Sequence, residues 1–237
     1  MMVSIIVPAY NEARTIARTI ERVLDVELGD VAREIVAVDD GSTDGTGEIL
    51  DRLEEQWPDV VKVEHHRHNR GKGAAVRTAL RHVTGDIVIT QDADLEYDPE
   101  EYPKLLAPFA DPAVQVVYGS RNLRDNPRSS WSFYWGGRLV SWVANLLYGA
   151  ALTDEATGYK LIRADLLRSL DLQADGFEFC PEVTGKVLSR GIRILEVPIS
   201  YEPRSPKEGK KISWRDGMQA IWTLLRYRLK RPLAKRR

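Results

Sequence analysis

The chain has 237 residues, of which 43% are apolar and 29% charged, with a formal net charge of −1. That is enough to bury a full core, and it excludes wholesale disorder and nucleic-acid binding driven by net charge. A single cysteine, Cys180, excludes a disulfide framework and a structural zinc site built on several thiolates.

Val3-Ser4-Ile5-Ile6-Val7 is a short β-branched run that suits a buried parallel strand. Asn11 stands where it could cap a helix whose apolar face is Ile16, Ile20, Val23 and Leu24. Glu34 to Val38 reads as a second strand. Asp44 reads as the cap of a helix bearing Ile49, Leu50 and Leu53, ahead of Pro58. Val60 to Val63 is a third strand, Gly71 to Val83 a helix lined by Ala74, Ala75 and Ala79, and Asp86 to Thr90 a fourth strand. Pro99 to Phe109 reads as helix and Val114 to Tyr118 as a fifth strand. This alternation implies an α/β fold, an open and mostly parallel sheet flanked by helices on both faces.

The second half reads differently. Trp131, Phe133, Tyr134, Trp135 and Trp142 concentrate aromatics, and Leu139 to Leu152 has the pattern of an apolar helix. Asp165 to Leu170 and Pro181 to Ser189 read as helices, Ile192 to Val197 as a strand, and Arg204 to Lys211 as a charged loop. Trp214 to Lys230 has Met218, Ile221, Trp222, Leu225 and Leu229 at helical spacing. The expected organisation is one domain over residues 1–212 and a basic amphipathic C-terminal helix and tail over residues 213–237. Seven basic residues and no acid lie from Arg226 to Arg237, which leaves the rest of the chain at −8. No secretory signal precedes Val3, and no segment reaches the roughly 18 uninterrupted apolar residues of a membrane span. The expectation is a cytoplasmic protein with peripheral membrane contact at most.

Ligands of open α/β sheets bind outside the carboxyl ends of the strands. Strand one ends in Pro8-Ala9-Tyr10-Asn11-Glu12, strand two in Asp39-Asp40-Gly41-Ser42, and strand four in Gln91-Asp92-Ala93-Asp94-Leu95-Glu96. Carboxylates therefore crowd one edge and need a cation or ligand donors to compensate them. On an extended strand end, Asp92 and Asp94 point to the same side, and Glu96 continues the spacing as a third oxygen ligand. Such a set suits Mg²⁺ or Mn²⁺, although Asp-x-Asp alone is more often a turn. Asp39 and Asp40 have the chemistry to accept from a base or ribose; the loop also reads as a helix cap through Asp44, and the two readings are compatible. Arg70-Gly71-Lys72-Gly73 opens a helix either to attract phosphate or to pack closely, with equal weight. His65, His66 and His68 read as a solvated loop. Arg121, Arg138, Arg204, Lys210 and Lys211 are basic residues suited to phosphate oxygens, each alone an ordinary surface charge.

Val7-Pro8-Ala9-Tyr10-Asn11-Glu12, Val38-Asp39-Asp40-Gly41-Ser42-Thr43-Asp44-Gly45-Thr46 and Asp92-Ala93-Asp94, in this order, resemble the family 2 glycosyltransferases with the Rossmann-like GT-A fold. Asn69-Arg70-Gly71-Lys72-Gly73, Asp92 to Pro99, Gly119-Ser120-Arg121, Thr157-Gly158-Tyr159-Lys160 and Val197 to Arg204 narrow the resemblance. They are similar to the branch of dolichol-phosphate mannose synthases and polyprenyl-phosphate glycosyltransferases, over about Val3 to Trp214.

The resemblance implies a nucleotide pocket at Pro8, Tyr10, Glu12, Asp39 and Asp92. It implies a metal pair at Asp92 and Asp94, with Glu96 where mannose synthases carry glutamine. It places lipid-phosphate and diphosphate binding at Arg121, Arg138, Ser141 and Arg204. Glu208-Gly209-Lys210-Lys211 departs from the family's Gly-x-Ser-Lys loop, so Lys210 and Lys211 stand in as substitutes. The implied reaction is a metal-dependent, inverting transfer of mannose or glucose from a GDP- or UDP-sugar to a polyprenyl phosphate. A phosphate acceptor is already nucleophilic and needs no strong general base. The aromatic segment and basic tail then read as a peripheral contact on the cytoplasmic face of the membrane, against core or subunit contacts. The competing expectations are a glycan or small soluble acceptor, and a nucleotide-sugar-binding subunit without turnover, which the intact Asp92 and Asp94 disfavour. A nucleotidyltransferase would want a Gly-rich loop after the first strand.

Overall fold

The computed structural model describes residues 1–127, 130–204 and 214–229, without the Phe133 side chain. Seven strands form one sheet in the order β3-β2-β1-β4-β6-β5-β7. They are β1 (Met2–Ala9), β2 (Ala32–Asp39), β3 (Val61–His65), β4 (Ile87–Thr90), β5 (Val116–Ser120), β6 (Lys160–Arg163) and β7 (Ile194–Pro198). All neighbours pair in parallel except β6, which runs antiparallel to both β4 and β5.

Alternation along β1 explains the layers. Val3, Ile5 and Val7 face a core shared with Ile16, Ile20 and Val23 of α1 (Ile16–Asp25), Leu50 and Leu53 of α2 (Thr46–Gln56), and Tyr102 and Leu105 of α4 (Tyr102–Leu106). Ile6 faces the opposite core with Ala75, Val76 and Ala79 of α3 (Lys72–Ala79), Leu166 and Leu167 of α6 (Ala164–Ser169), and Val183 and Val187 of α7 (Phe179–Ser189). A third, smaller cluster joins α5 (Trp131–Tyr148) to α8 (Trp214–Leu229) through Val140, Ala144 and Leu224.

Several local expectations are corrected. Asn11 caps no helix: it sits at φ +52°, and its Oδ1 accepts from Thr43 N at 2.9 Å. Four residues, Glu12 to Thr15, intervene before α1 starts at Ile16. Gly45 is the N-cap of α2, while Asp44 accepts from Thr46 N and Ala13 N and so ties α2 to the segment after β1. The segment from Pro99 to Ala110 is a short α-helix between two 3-10 turns, as its three prolines dictate. The aromatic stretch is not a preface to a helix. It is the first half of α5, which begins at Trp131 and ends at Gly149 with φ +68°.

Candidate active site

The carboxyl ends of β1, β2 and β4 and the segment before β6 meet at one edge of the sheet. At the centre, Lys72 Nζ forms an ion pair with Asp92 Oδ1. Burial opposes the lysine's charge, but the Asp92 carboxylate outweighs it and holds the ammonium well above the usual lysine range. Two residues on, Asp94 pairs with Arg204 Nη2 at 2.8 Å. Burial, reinforced by the Asp92 and Glu96 charges, still pushes the Asp94 carboxyl up to about 6, against the pull of Arg204. The Arg204 guanidinium also reaches Glu12, at 3.3 and 3.4 Å. Burial opposes its charge too, and the carboxylates of Asp94 and Glu12 keep it firmly cationic.

Gly158 backs this pair. A Cβ there would stand 2.8 Å from Asp92 Oδ2, so only glycine lets the antiparallel connection pass. Gly158 N donates to Tyr97 Oη at 2.7 Å, and its carbonyl accepts from Thr90 Oγ1 at 2.8 Å. Tyr97 lies between Tyr159 and Tyr201, with ring centroids 4.7 and 5.1 Å away. Tyr102 and Tyr159 both donate to the buried Gln91 Oε1, at 2.6 and 2.7 Å. These tyrosines form a stiff wall beside the aspartates.

Across the wall, Arg121 meets Asp154. Its Nε and Nη2 donate to the two Asp154 oxygens at 2.7 Å each, and its cation lies 5.0 Å from the centre of the Tyr201 ring. Burial would raise the Asp154 carboxyl, but Arg121 holds it below the usual carboxylate range. Glu196 accepts from the amides of Thr153 and Asp154, at 2.7 and 2.9 Å, and fixes that segment.

The sequence-predicted residues divide accordingly. Glu12, Asp92, Asp94 and Arg204 come together, with Lys72 among them. Asp39 ends β2, where its Oδ1 accepts from Ser42 N at 3.0 Å and its Oδ2 lies 3.3 Å from His65 Nδ1. Pro8 pairs with Val38 on the neighbouring strand, and Tyr10 is half-buried just beyond β1. Asp40 is turned inward. It accepts from Arg70 N, Gly71 N and His66 Nδ1, at 2.9, 2.7 and 2.6 Å, and so secures the loop before α3. His66 is therefore a buried bridge between Asp40 and Thr78, not part of a solvated loop.

Among the described residues no three acidic, histidine or cysteine groups converge on one ion position. Glu96, expected as the third oxygen, accepts from Tyr201 Oη at 2.6 Å and Arg204 N at 2.8 Å. The reason is that β4 stops at Thr90 and Leu95 takes a left-handed conformation at φ +64°, so the alternation of an extended strand does not reach Glu96.

Arg138 is exposed on α5, with Nη1 donating to Thr153 O at 3.2 Å. Ser141 is buried; its Oγ donates to Gly137 O and accepts from Glu155 N. Both thus flank the Asp154 segment. Lys210 and Lys211 lie outside the described residues. Asp154, Gln91 and Tyr97 were missed as site residues, although Asp154 stands only three residues before the Thr157-Gly158-Tyr159-Lys160 motif.

A mostly parallel sheet of this order, with one reversed strand and paired aspartates at a strand end, has the architecture of the GT-A fold class. More narrowly, the chain belongs to glycosyl transferase family 2, whose model matches residues 4–170. It is 32% identical to an undecaprenyl-phosphate mannosyltransferase of Micrococcus luteus, over 97% of this chain and 99% of that one. It is 30% identical to a dolichol-phosphate mannosyltransferase of Pyrococcus furiosus, over 89% of this chain but only 59% of that protein's length. The fold is shared with glucosyl-3-phosphoglycerate synthase from Mycobacterium tuberculosis. The complex of that enzyme with uridine diphosphate matches at a TM-score of 0.73 and 22% identity, covering 96% of this chain and 80% of that one. Its complex with Mg²⁺ and uridine diphosphate matches at 0.72 and 23%, covering 95% and 79%.

Proposed function

We propose that this enzyme transfers a hexose, mannose or glucose, from a nucleoside-diphosphate sugar to a polyprenyl phosphate, with inversion at the anomeric carbon. The observation that carries the reading is the pair of charged centres on either side of one tyrosine wall. Asp92 and Asp94 with Lys72 and Arg204 suit the donor, and Arg121 suits an anionic acceptor. The names of the relatives at 30–32% identity point to the same chemistry.

The donor set fits a divalent cation, because burial and then the Asp92 and Glu96 charges disfavour the Asp94 carboxylate, which a hard positive charge would relieve. Asp92 and Asp94 would hold Mg²⁺ or Mn²⁺, which when bound neutralises the departing diphosphate. Lys72 and Arg204 add fixed positive charge on the same side. Asp39, Tyr10 and Pro8 border the space for the nucleoside. Arg121, locked by Asp154, presents Nη1 to the acceptor phosphate and orients it for in-line attack. The phosphate is its own nucleophile, so no side chain has to remove a proton first.

The acceptor's lipid character accords with α5 and α8. Trp131, Trp135, Leu139, Trp142 and Leu146 on α5 are exposed, as are Trp214, Met218, Trp222 and Leu229 on α8. In each helix they recur at spacings of three, four or seven, so each leaves an apolar row outward while burying its other side in the shared cluster. The three exposed α5 tryptophans are not core. Arg138, Arg215 and Arg226 are exposed on these helices as well, which suits an anionic lipid surface. No described helix is long and apolar enough to cross a membrane. The exposed apolar rows and arginines support a peripheral position, which we assign to the cytoplasmic leaflet. The basic residues from Lys230 to Arg237 lie outside the described residues.

The test is a donor screen. Protein, Mg²⁺ or Mn²⁺ and a short polyprenyl phosphate are incubated with GDP-mannose, UDP-glucose or UDP-N-acetylglucosamine, and the lipid fraction is read by mass spectrometry. The expected result is one glycosyl-phosphate lipid that is absent with Asp94→Ala and whose anomeric coupling in an NMR spectrum shows inverted configuration. Metal-dependent nucleotide binding without any lipid product would shift the acceptor to a glycan or a small soluble molecule.

A further inference from the structure

Helix α8 is tied to α5 by bonds from Tyr148 to Leu224 O and from Arg228 to Leu147 O, and to α7 through one buried carboxylate. Glu182 on α7 has no exposed surface, yet it collects four donors from three places. Tyr227 Oη of α8 donates at 2.6 Å, and Lys186 Nζ, one turn along α7, lies at 2.7 Å. The amides of Gln173 and Ala174 donate at 2.9 and 2.7 Å. Burial would raise this carboxyl, but Lys186, Tyr227 and the two amides hold it below the usual range, so the node is ionised at neutral pH.

The segment that Glu182 grips is pressed against the start of α3. Ala74 N donates to Asp175 O at 3.0 Å, and Arg77 Nη1 donates to Gln173 O at 2.6 Å. Arg77 also pairs with the Asp175 carboxylate. A Cβ at Gly71 or Gly73 would run into the Asp175 or Ala174 carbonyl, so both glycines exist to admit this backbone. Between the two open readings of Arg70-Gly71-Lys72-Gly73, the glycines thus serve close packing. Lys72 is the residue between them, and it is the partner of Asp92.

We propose that Glu182 is a positioning residue that couples the seating of α8 on α7 to the placement of Lys72 against Asp92. The route runs from Tyr227 through Glu182 to the 173–175 backbone and then to the α3 N-terminus. Whatever shifts α8, including contact of its outer face with a lipid surface, is thereby felt at the aspartate pair. This rests on the reading of Asp92 and Asp94 as the donor site only for its effect on nucleotide.

Two readouts on the full-length protein test it, using Tyr227→Phe as the mild variant and Glu182→Gln as the stronger one. Amide hydrogen exchange is measured without ligand. Faster exchange by tenfold or more is expected in residues 173–176 and 71–76 for both variants. A change confined to α7 and α8 overturns the coupling. Affinity for UDP and GDP with Mg²⁺ is then measured in a double-mutant cycle with Lys72→Met. A three- to tenfold loss is expected from Tyr227→Phe in the native background and none in the Lys72→Met background. Losses that multiply in the double variant overturn the proposal. Failure of the native protein to bind either diphosphate would instead refute the donor-site reading, and the exchange data would still decide the coupling.

Discussion

The strand-end site and the α5–α8 face are built on opposite logics. At the site, charged and polar groups are packed until most of their bonds are satisfied internally: Arg121 by Asp154, Lys72 by Asp92, Arg204 by Asp94 and Glu12. On the helical face, large apolar side chains remain in solvent; Trp142 is 60% and Trp222 64% exposed. The site stores electrostatic strain in a rigid setting, as the raised Asp94 carboxyl records. The face stores unspent apolar area. The difference teaches that the outer side chains of the face and the charged groups of the site do separate work: substitutions on the outer face should spare turnover, whereas those that unseat α8 at Glu182 should reach the site.

The largest break is expected at Asp94. Asp94→Asn should lower sugar transfer by about a thousandfold or more, since it removes half of the carboxylate pair proposed to hold the cation that neutralises the departing diphosphate. The same variant should make the metal-free protein more stable at pH 7, by about 1–2 kcal/mol. A carboxyl whose folded value is about 6, against an ordinary 3.8, favours the fold when protonated, and that contribution is lost as pH rises through 6. Thermal melts from pH 5 to 8 should therefore show a decline in the native protein that the variant lacks. A variant that is inactive and also less stable at pH 7 would contradict the strain.

Arg121→Lys keeps the charge but loses the fork. Its kcat/KM for the phosphate acceptor should fall by roughly 10- to 100-fold while nucleotide affinity stays within about twofold. Equal losses on both substrates would erase the division by the tyrosine wall.

Trp142→Glu combined with Trp222→Glu addresses the other region. Partition onto vesicles with anionic lipid should fall about 10- to 30-fold. Turnover of a water-soluble, short-chain acceptor should be unchanged. Loss of that turnover would mean the helices serve the chemistry directly.

The smallest effect belongs to neither region. Glu34 accepts from Ser4 Oγ, Thr84 N, Thr84 Oγ1 and Gly85 N, at 2.5 to 3.0 Å. Burial opposes the charge, but these donors hold the carboxyl below its ordinary 4.5. Its stabilisation is present above that value and is lost as pH falls through the lowered one. Glu34→Gln should cost about 1 kcal/mol at pH 7, little at pH 3, and leave both vesicle binding and turnover intact, as denaturant titrations at the two pH values would show.

The parallel half of the sheet was legible because it is local. β1, β2 and β4 are β-branched runs, and each is followed at once by the residues that it delivers to the edge. The missing strand was β6. Its sequence Lys160-Leu161-Ile162-Arg163 begins and ends in a cation, which disguises a buried strand. Lys160 is nonetheless buried, donating to Glu155 O and Thr157 O with its ammonium 4.3 Å from the Tyr118 ring centre. Periodicity carries no sign of such long-range compensation. Asp154 was missed with it, because residues before a reversed strand reach the edge that residues after a parallel strand reach. The bonds of Glu96 to Tyr201 and Arg204 were not legible, because they follow from the left-handed turn at Leu95, which side-chain identity does not announce.

The reversal of β6 has an evolutionary corollary. Asp92 and Asp94 sit in the segment that leaves the sheet after β4, while Asp154 sits in the segment that arrives at β6 from α5. Insertions or replacements between Gly149 and Thr153 would remodel the acceptor side alone. Under the proposed division, editing that one incoming loop alters the partner of Arg121 and leaves Asp92 and Asp94 on their own strand end.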